Sequence, residues 1–225
     1  NFALPPIEEF EKKITPKTKA FLICNPGNPT GYLYSKEEIL QLAAIAKKYD
    51  IFLIFDEVYR EFVYDGAQHF SIMQVPDIEQ NAIMIDSVSK RFSMCGARIG
   101  WVVSKNKEVM KSILKFAQAR LSPPTYSQIG AEKAFDVPET YFEEVLKEYT
   151  QRRNVLIDAL QRVEGVRVSM PKGAFYCIAE LPVENAEDFC IWLLDQFSVG
   201  NETVMLAPAE GFYATPGLGR NQVRI

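Results

Sequence analysis

The chain has 225 residues, 48% of them hydrophobic and 24% charged, with a net charge of −4. This composition supports a buried core and excludes a disordered chain, and the negative balance, with no basic tract, argues against a nucleic-acid backbone as partner. No apolar stretch approaches a membrane span, no signal-peptide pattern opens the chain, and Cys24, Cys95, Cys177 and Cys190 lack paired metal spacing; together these predict a cytoplasmic protein with reduced thiols.

The chain opens at Asn1 without methionine and stops at Gln222-Val223-Arg224-Ile225, inside what reads as a strand. Both ends read as cuts in a longer protein. Glu8 to Lys13 predicts a short amphipathic segment, and Ala20 to Cys24 a buried parallel strand, an apolar run bounded by turn formers. Asn25-Pro26-Gly27-Asn28-Pro29-Thr30-Gly31 is a stiff turn: two prolines fix φ and two glycines permit positive φ. Ser35 with Glu38 forms a capping box, ahead of Ile39, Leu42, Ala43 and Ala46 at helical spacing.

A second strand, Ile51 to Phe55, runs directly into Asp56-Glu57-Val58-Tyr59. In open α/β sheets ligands sit at the carboxyl ends of strands, so Asp56 is well placed for function. A third strand, Ala82 to Ile85, delivers Ser87, Ser89 and Lys90, and a fourth spans Ile99 to Val103. Helices are predicted over 108–119 and 141–163, with Pro123-Pro124 breaking the chain between them. Short strands then follow at 166–168, 174–181, 204–206 and 223–225, interrupted by a helix near 187–197. The change of texture predicts two domains: residues 1–150, an α/β layered domain, and 151–225, a smaller α+β domain. His69, in a polar loop after Asp65-Gly66, reads as a surface residue without a role.

Three strand ends thus offer an asparagine-proline loop, an aspartate with a tyrosine three residues on, and a lysine flanked by serines. Such a lysine suits imine chemistry with an aldehyde. A free lysine has a pKa of about 10.4 and is a poor nucleophile while protonated; desolvation or nearby positive charge makes it usable.

At this point the sequence resembles the class I/II aminotransferases, pyridoxal-phosphate (PLP) enzymes of fold type I. The residues that carry the resemblance are NPGNPTG at 25–31, DEVY at 56–59, SVSKRFSMCGARIGW at 87–101, KGAFY at 172–176 and VRI at 223–225, in the family's order. The resemblance implies an α/β fold with a mostly parallel sheet in the large domain, here partial, followed by an incomplete small domain. It implies that Lys90 forms the imine with PLP and shuttles a proton, and that Asp56 pairs with the pyridine nitrogen. Tyr59 and Asn28 would bond the ring's phenolic oxygen. Ser87, Ser89 and Arg98 would hold the phosphate, and Arg224, with Asn28 beside it, the substrate carboxylate.

The implied reaction moves an amino group from an L-amino acid, with aspartate the best match, to a 2-oxo acid, with 2-oxoglutarate the best match, by a ping-pong scheme. The implied assembly of the full-length protein is a homodimer. A PLP-dependent carbon–sulfur lyase of the same fold and a PLP-sensing regulator stay open as alternatives. The family's N-terminal portion has no counterpart here, so residues 1–225 alone are expected to bind PLP weakly or not at all.

Overall fold

The computed structural model describes residues 2–225. A short helix α1 (Ile7–Lys13) leads into β1 (Ala20–Cys24). Helix α2 (Lys36–Tyr49) starts at Ser35, whose hydroxyl accepts from the Glu38 amide while the Glu38 carboxylate accepts from the Ser35 amide, so both arms of the capping box form. β2 (Phe52–Asp56), β3 (Ala82–Ser87), the one-turn helix α3 (Val88–Arg91) and β4 (Gly100–Val103) complete the first sheet. Its order is β1-β2-β3-β4: the first three strands are parallel and β4 is antiparallel to β3. Parallel registration sets Cys24 opposite Asp56 and Asp56 opposite Ile85. The loop after β1, the end of β2 and the turn after β3 therefore emerge along one edge, as expected for an α/β ligand edge.

Ile39, Leu42, Ala43 and Ala46 of α2 pack on Leu53, Phe55, Ala82 and Met84 to form the main core. Burial of aliphatic side chains on one helix face and one sheet face is the dominant stabilising term, at roughly 25 cal/mol per Å² of apolar surface. Helices α4 (Lys107–Arg120), α5 (Thr125–Ala134) and α6 (Glu139–Gln161) follow. α5 is not predicted from the sequence. Its only buried residue is Ala131, which packs with Val88 and Phe92 against the turn that carries Lys90.

The second sheet joins β5 (Arg167–Val168), β6 (Ile178–Glu180), β7 (Ala207–Pro208) and β8 (Gln222–Arg224) in the antiparallel order β5-β6-β8-β7. Helix α7 (Ala186–Asp195) covers it through Ala186 and Cys190. Two expectations change here. The strand expected at 174–181 is confined to Ile178–Glu180, and the one expected at 204–206 is displaced to Ala207–Pro208. β-Branched and apolar character at 204–206 does not supply a partner strand, and pairing decides strand formation.

The two sheets are stitched together beside Tyr59. Phe62, Tyr149, Phe175 and Tyr176 form an aromatic cluster around it, with ring centroids 4.9–5.5 Å apart. The 172–174 backbone pairs with 62–64 through Ala174 N–H to Phe62 O at 2.9 Å and Tyr64 N–H to Lys172 O at 3.1 Å. Gly31 lies at φ 68°, where a Cβ would come within 2.3 Å of Pro171 Cβ and 2.8 Å of the Tyr176 carbonyl. A glycine is therefore required for the asparagine-proline loop to dock against this segment.

Candidate active site

The first sheet's ligand edge meets the end of β8 at a cluster of four polar side chains. Arg224 Nη1 donates to Asn28 Oδ1 at 3.3 Å. The Arg224 guanidinium lies over the rings of Tyr176 and Phe212, each centroid 5.0 Å away. Tyr59 Oη lies 3.0 Å from Tyr176 Oη. Burial, then the Tyr176 hydroxyl, hold the Tyr59 phenol well above its usual pKa, so it stays protonated and available as a donor. Tyr176 ends the KGAFY segment, and its pairing with Tyr59 is a tertiary contact that spacing cannot reveal.

Asp56 caps the end of β2, half-buried. Burial raises its carboxyl above the ordinary range, offset by the Val58 N–H, which donates to Oδ1 at 3.2 Å, and by the charge of Lys90. Lys90 stands 6.0 Å above the Tyr59 ring, so the acid, the phenol and the amine share one locality. The one-turn helix α3 holds Lys90 in place. Ser87 Oγ accepts from the Ser89 amide at 3.2 Å, and Val88, fully buried, anchors the turn.

Of the eight sequence-predicted residues, Asn28 and Arg224 are joined directly, Tyr59 is linked to Arg224 through Tyr176, and Asp56 and Lys90 are coupled by charge. Ser87 and Ser89 lie on the lysine's own turn. Arg98 stands apart: it is exposed, left-handed at φ 58°, and its Nη1 donates to the Cys95 carbonyl at 2.9 Å.

One expectation is corrected. His69 is a packed residue rather than a surface one, with its side chain 11% exposed and Nε2 3.8 Å from Glu57 Oε2. Burial pushes its pKa down to about 4, against the pull of the Asn25 carbonyl. Glu57, fully buried, uses its other oxygen to accept from Ser71 Oγ at 2.9 Å and the Ile72 amide at 2.8 Å. The chain folds back over the loop in a way that a polar local sequence does not reveal.

The four cysteines are free, with Cys177 and Cys190 buried, Cys24 partly so and Cys95 exposed. Among the described residues there is no His/Cys/Asp/Glu group fit for a metal, and no helix is long and apolar enough to cross a membrane.

The profile of the family "Aminotransferase class I and II" matches residues 6–220. The chain belongs to the class I and II aminotransferases. It is 34% identical over 212 residues to an aspartate aminotransferase of Bacillus sp. strain YM-2, covering 92% of this chain and 54% of that protein. In structure it is similar to the aspartate aminotransferase of Thermotoga maritima, with TM-score 0.84 and 31% identity, covering 98% of this chain and 55% of the other. It is also similar to N-succinyldiaminopimelate aminotransferase of Mycobacterium tuberculosis, with TM-score 0.88 and 25% identity, covering 98% and 57%. The fold is that of the type I aminotransferases, and the chain spans about half the length of the curated relatives it matches. Membership in this enzyme family agrees with the expectation drawn from the five motifs.

Proposed function

We propose that the whole protein carrying this chain is a PLP-dependent aminotransferase, with aspartate as amino donor and 2-oxoglutarate as acceptor. The observation that carries this reading is the convergence of Asp56, Tyr59, Asn28, Lys90 and Arg224 on one edge. The donor set fits PLP group by group: an amine for the aldehyde, a carboxylate for the pyridine nitrogen, a phenol and an amide for the ring oxygen. Hydroxyls and a guanidinium serve the phosphate. PLP supplies an aldehyde that condenses with an amine and a ring that holds the electron pair released from the substrate's Cα.

In this reading Asp56 keeps a proton on the pyridine nitrogen. Tyr59 Oη and the Asn28 side chain orient the ring through its phenolic oxygen, with Tyr176 Oη fixing Tyr59. Ser87, Ser89 and Arg98 would hold the phosphate. Lys90 Nζ takes and returns the proton at the substrate's Cα. Arg224 receives the α-carboxylate through its planar fork, held in place by the flanking rings.

The choice of aspartate is supported by the names of the relatives at 32–34% identity. We read residues 1–150 and 151–225 as large-domain and small-domain parts, dividing inside α6, and the whole protein as a cytoplasmic homodimer, as the resemblance implies.

The test supplies L-aspartate and 2-oxoglutarate to the whole protein with PLP and follows both products. The reading requires oxaloacetate and glutamate in equal amounts, and one equivalent of oxaloacetate per bound PLP when the acceptor is omitted. Release of ammonia and a 2-oxo acid without an acceptor would instead mark a lyase.

A further inference from the structure

Four charged side chains beside the site play no part in the chemistry described so far. Arg60 and Glu61 directly follow Tyr59, while Asp86 and Arg91 bracket Ser87, Ser89 and Lys90. They alternate in sign around a closed ring. Arg91 Nη2 bonds Glu61 Oε1 and lies 3.8 Å from Asp86 Oδ2. Arg60 Nε lies 3.3 Å from Glu61 Oε1 and 3.5 Å from Asp86 Oδ2.

Two of the four are buried, with side chains 1% exposed for Asp86 and 6% for Arg91; Arg60 and Glu61 are 33% and 31% exposed. Buried ion pairs are poor stabilisers compared with apolar packing, because desolvation offsets the attraction. The ring is also imperfectly bonded, since Asp86 Oδ2 and Arg91 Nε lack hydrogen-bond partners. Stability alone is a weak reason to keep such a cluster. Its location offers a better one. Each cation contacts an acid on both segments, so the ring clamps the end of β2, with Asp56 and Tyr59, to the turn after β3, with Lys90. Lys90 and Arg91 are adjacent on a helix of one turn, so displacement of Arg91 is transmitted to Lys90 directly.

We infer that the Arg60–Glu61–Arg91–Asp86 ring is a positioning device that fixes Lys90 against Asp56 and Tyr59, with Arg91 as its principal positioning residue. The inference rests on the reading of Lys90 as the lysine that holds PLP. Arg91 touches neither substrate nor cofactor in this account; it acts through the lysine turn. Arg91 reaches both carboxylates through one nitrogen, Nη2, so the bridge depends on a cation held at that point between the two segments.

The experiment uses the whole protein loaded with PLP. Visible circular dichroism per bound cofactor reads how rigidly PLP is held, and dissociation of PLP reads affinity. In Arg91→Met the visible signal should fall to a small fraction of wild type and PLP affinity should drop about tenfold, with far-ultraviolet dichroism unchanged. Arg91→Lys, which keeps a cation on the lysine turn, should recover part of both. Glu61→Gln combined with Arg91→Met should be no worse than Arg91→Met alone, because the same clamp is already broken. Leu42→Ala, in the core under α2, serves as the control: it should lower Tm yet leave the visible signal per bound PLP intact.

If Arg91→Met keeps the wild-type visible signal and affinity, or loses no more than Leu42→Ala at equal loss of Tm, the inference is overturned. Should Arg91→Met fail to fold, Glu61→Gln carries the same test with the same two results. Borohydride reduction of the wild type separates the two levels: a label away from Lys90 defeats the underlying reading. A label at Lys90 with an unchanged Arg91→Met signal defeats the clamp alone.

Discussion

Arg224 and Asn28, 196 positions apart in the chain, meet through a 3.3 Å hydrogen bond, and this contact ties the second sheet to the ligand edge of the first. Arg224 comes from β8 and Asn28 from the loop after β1, so a ligand that engages Arg224 draws on both sheets at once. Arg224→Lys keeps the charge and loses the fork. We expect KM for the amino donor to rise about tenfold, corresponding to about 1.4 kcal/mol, with a smaller change in kcat. Steady-state kinetics at saturating acceptor reads this; an unchanged KM would remove Arg224 from substrate binding.

Tyr59 and Tyr176 share a hydroxyl–hydroxyl contact of 3.0 Å. Tyr59→Phe removes the hydroxyl that meets Tyr176 and would meet the ring oxygen, at a cost of about 0.5–1.5 kcal/mol for a neutral hydrogen bond. PLP should bind roughly 2- to 12-fold more weakly. Tyr176→Phe should have a smaller effect, because it removes support and not the direct contact. Fluorescence titration with PLP ranks the two variants, and the reverse order would contradict the assignment of Tyr59 as the ring contact.

His69 gives a pH signature. Its unfolded pKa is 6.5 and its folded pKa about 4, because burial disfavours the charged ring. Above pH 6.5 the ring is neutral in both states and contributes nothing. As pH falls from 6.5 to about 4 only the unfolded chain takes up the proton, so stability is lost across that window, by up to ~3 kcal/mol at about 1.4 kcal/mol per pH unit. Glu57 and Asp86 act with the opposite sign, since burial raises their carboxyls and the folded state binds their protons first. Comparison with His69→Gln isolates the histidine. Chemical denaturation at several pH values should show wild type losing stability relative to the variant as pH falls below 6.5, and parallel curves would refute the buried neutral imidazole.

Thiol reactivity should follow exposure. Burial pushes the Cys24 and Cys177 thiols up to about 11, which leaves almost no thiolate at pH 8. Cys95 is exposed beside Arg98. Brief alkylation of the native protein, followed by peptide mapping, should label Cys95 first, with Cys24 and Cys177 reacting only on denaturation.

The sequence made the local layers legible and left the tertiary ones hidden. β1 was readable because an apolar run is bounded by turn residues, and α2 because Ser35 and Glu38 cap each other. α5 was not: it follows two prolines, contains Gly130, and has no apolar period, because only Ala131 is buried. The lysine, aspartate, tyrosine and arginine were legible as motifs at strand ends. The partners that fix them were not. Tyr176 reaches Tyr59 across 117 positions, and Arg91 reaches Glu61 across 30, distances at which spacing carries no contact information. The burial of His69 is hidden for the same reason: its environment is made by Glu57 and Asn25, which no local pattern links to it.

The central claim is that Lys90 is the residue that bonds PLP. The direct measurement is borohydride reduction of the PLP-loaded whole protein, proteolysis, and mass mapping of the pyridoxyl label. A single labelled peptide is expected, with the modification on Lys90, and no label in Lys90→Ala. A label on another lysine, or full transamination by Lys90→Ala, would contradict it.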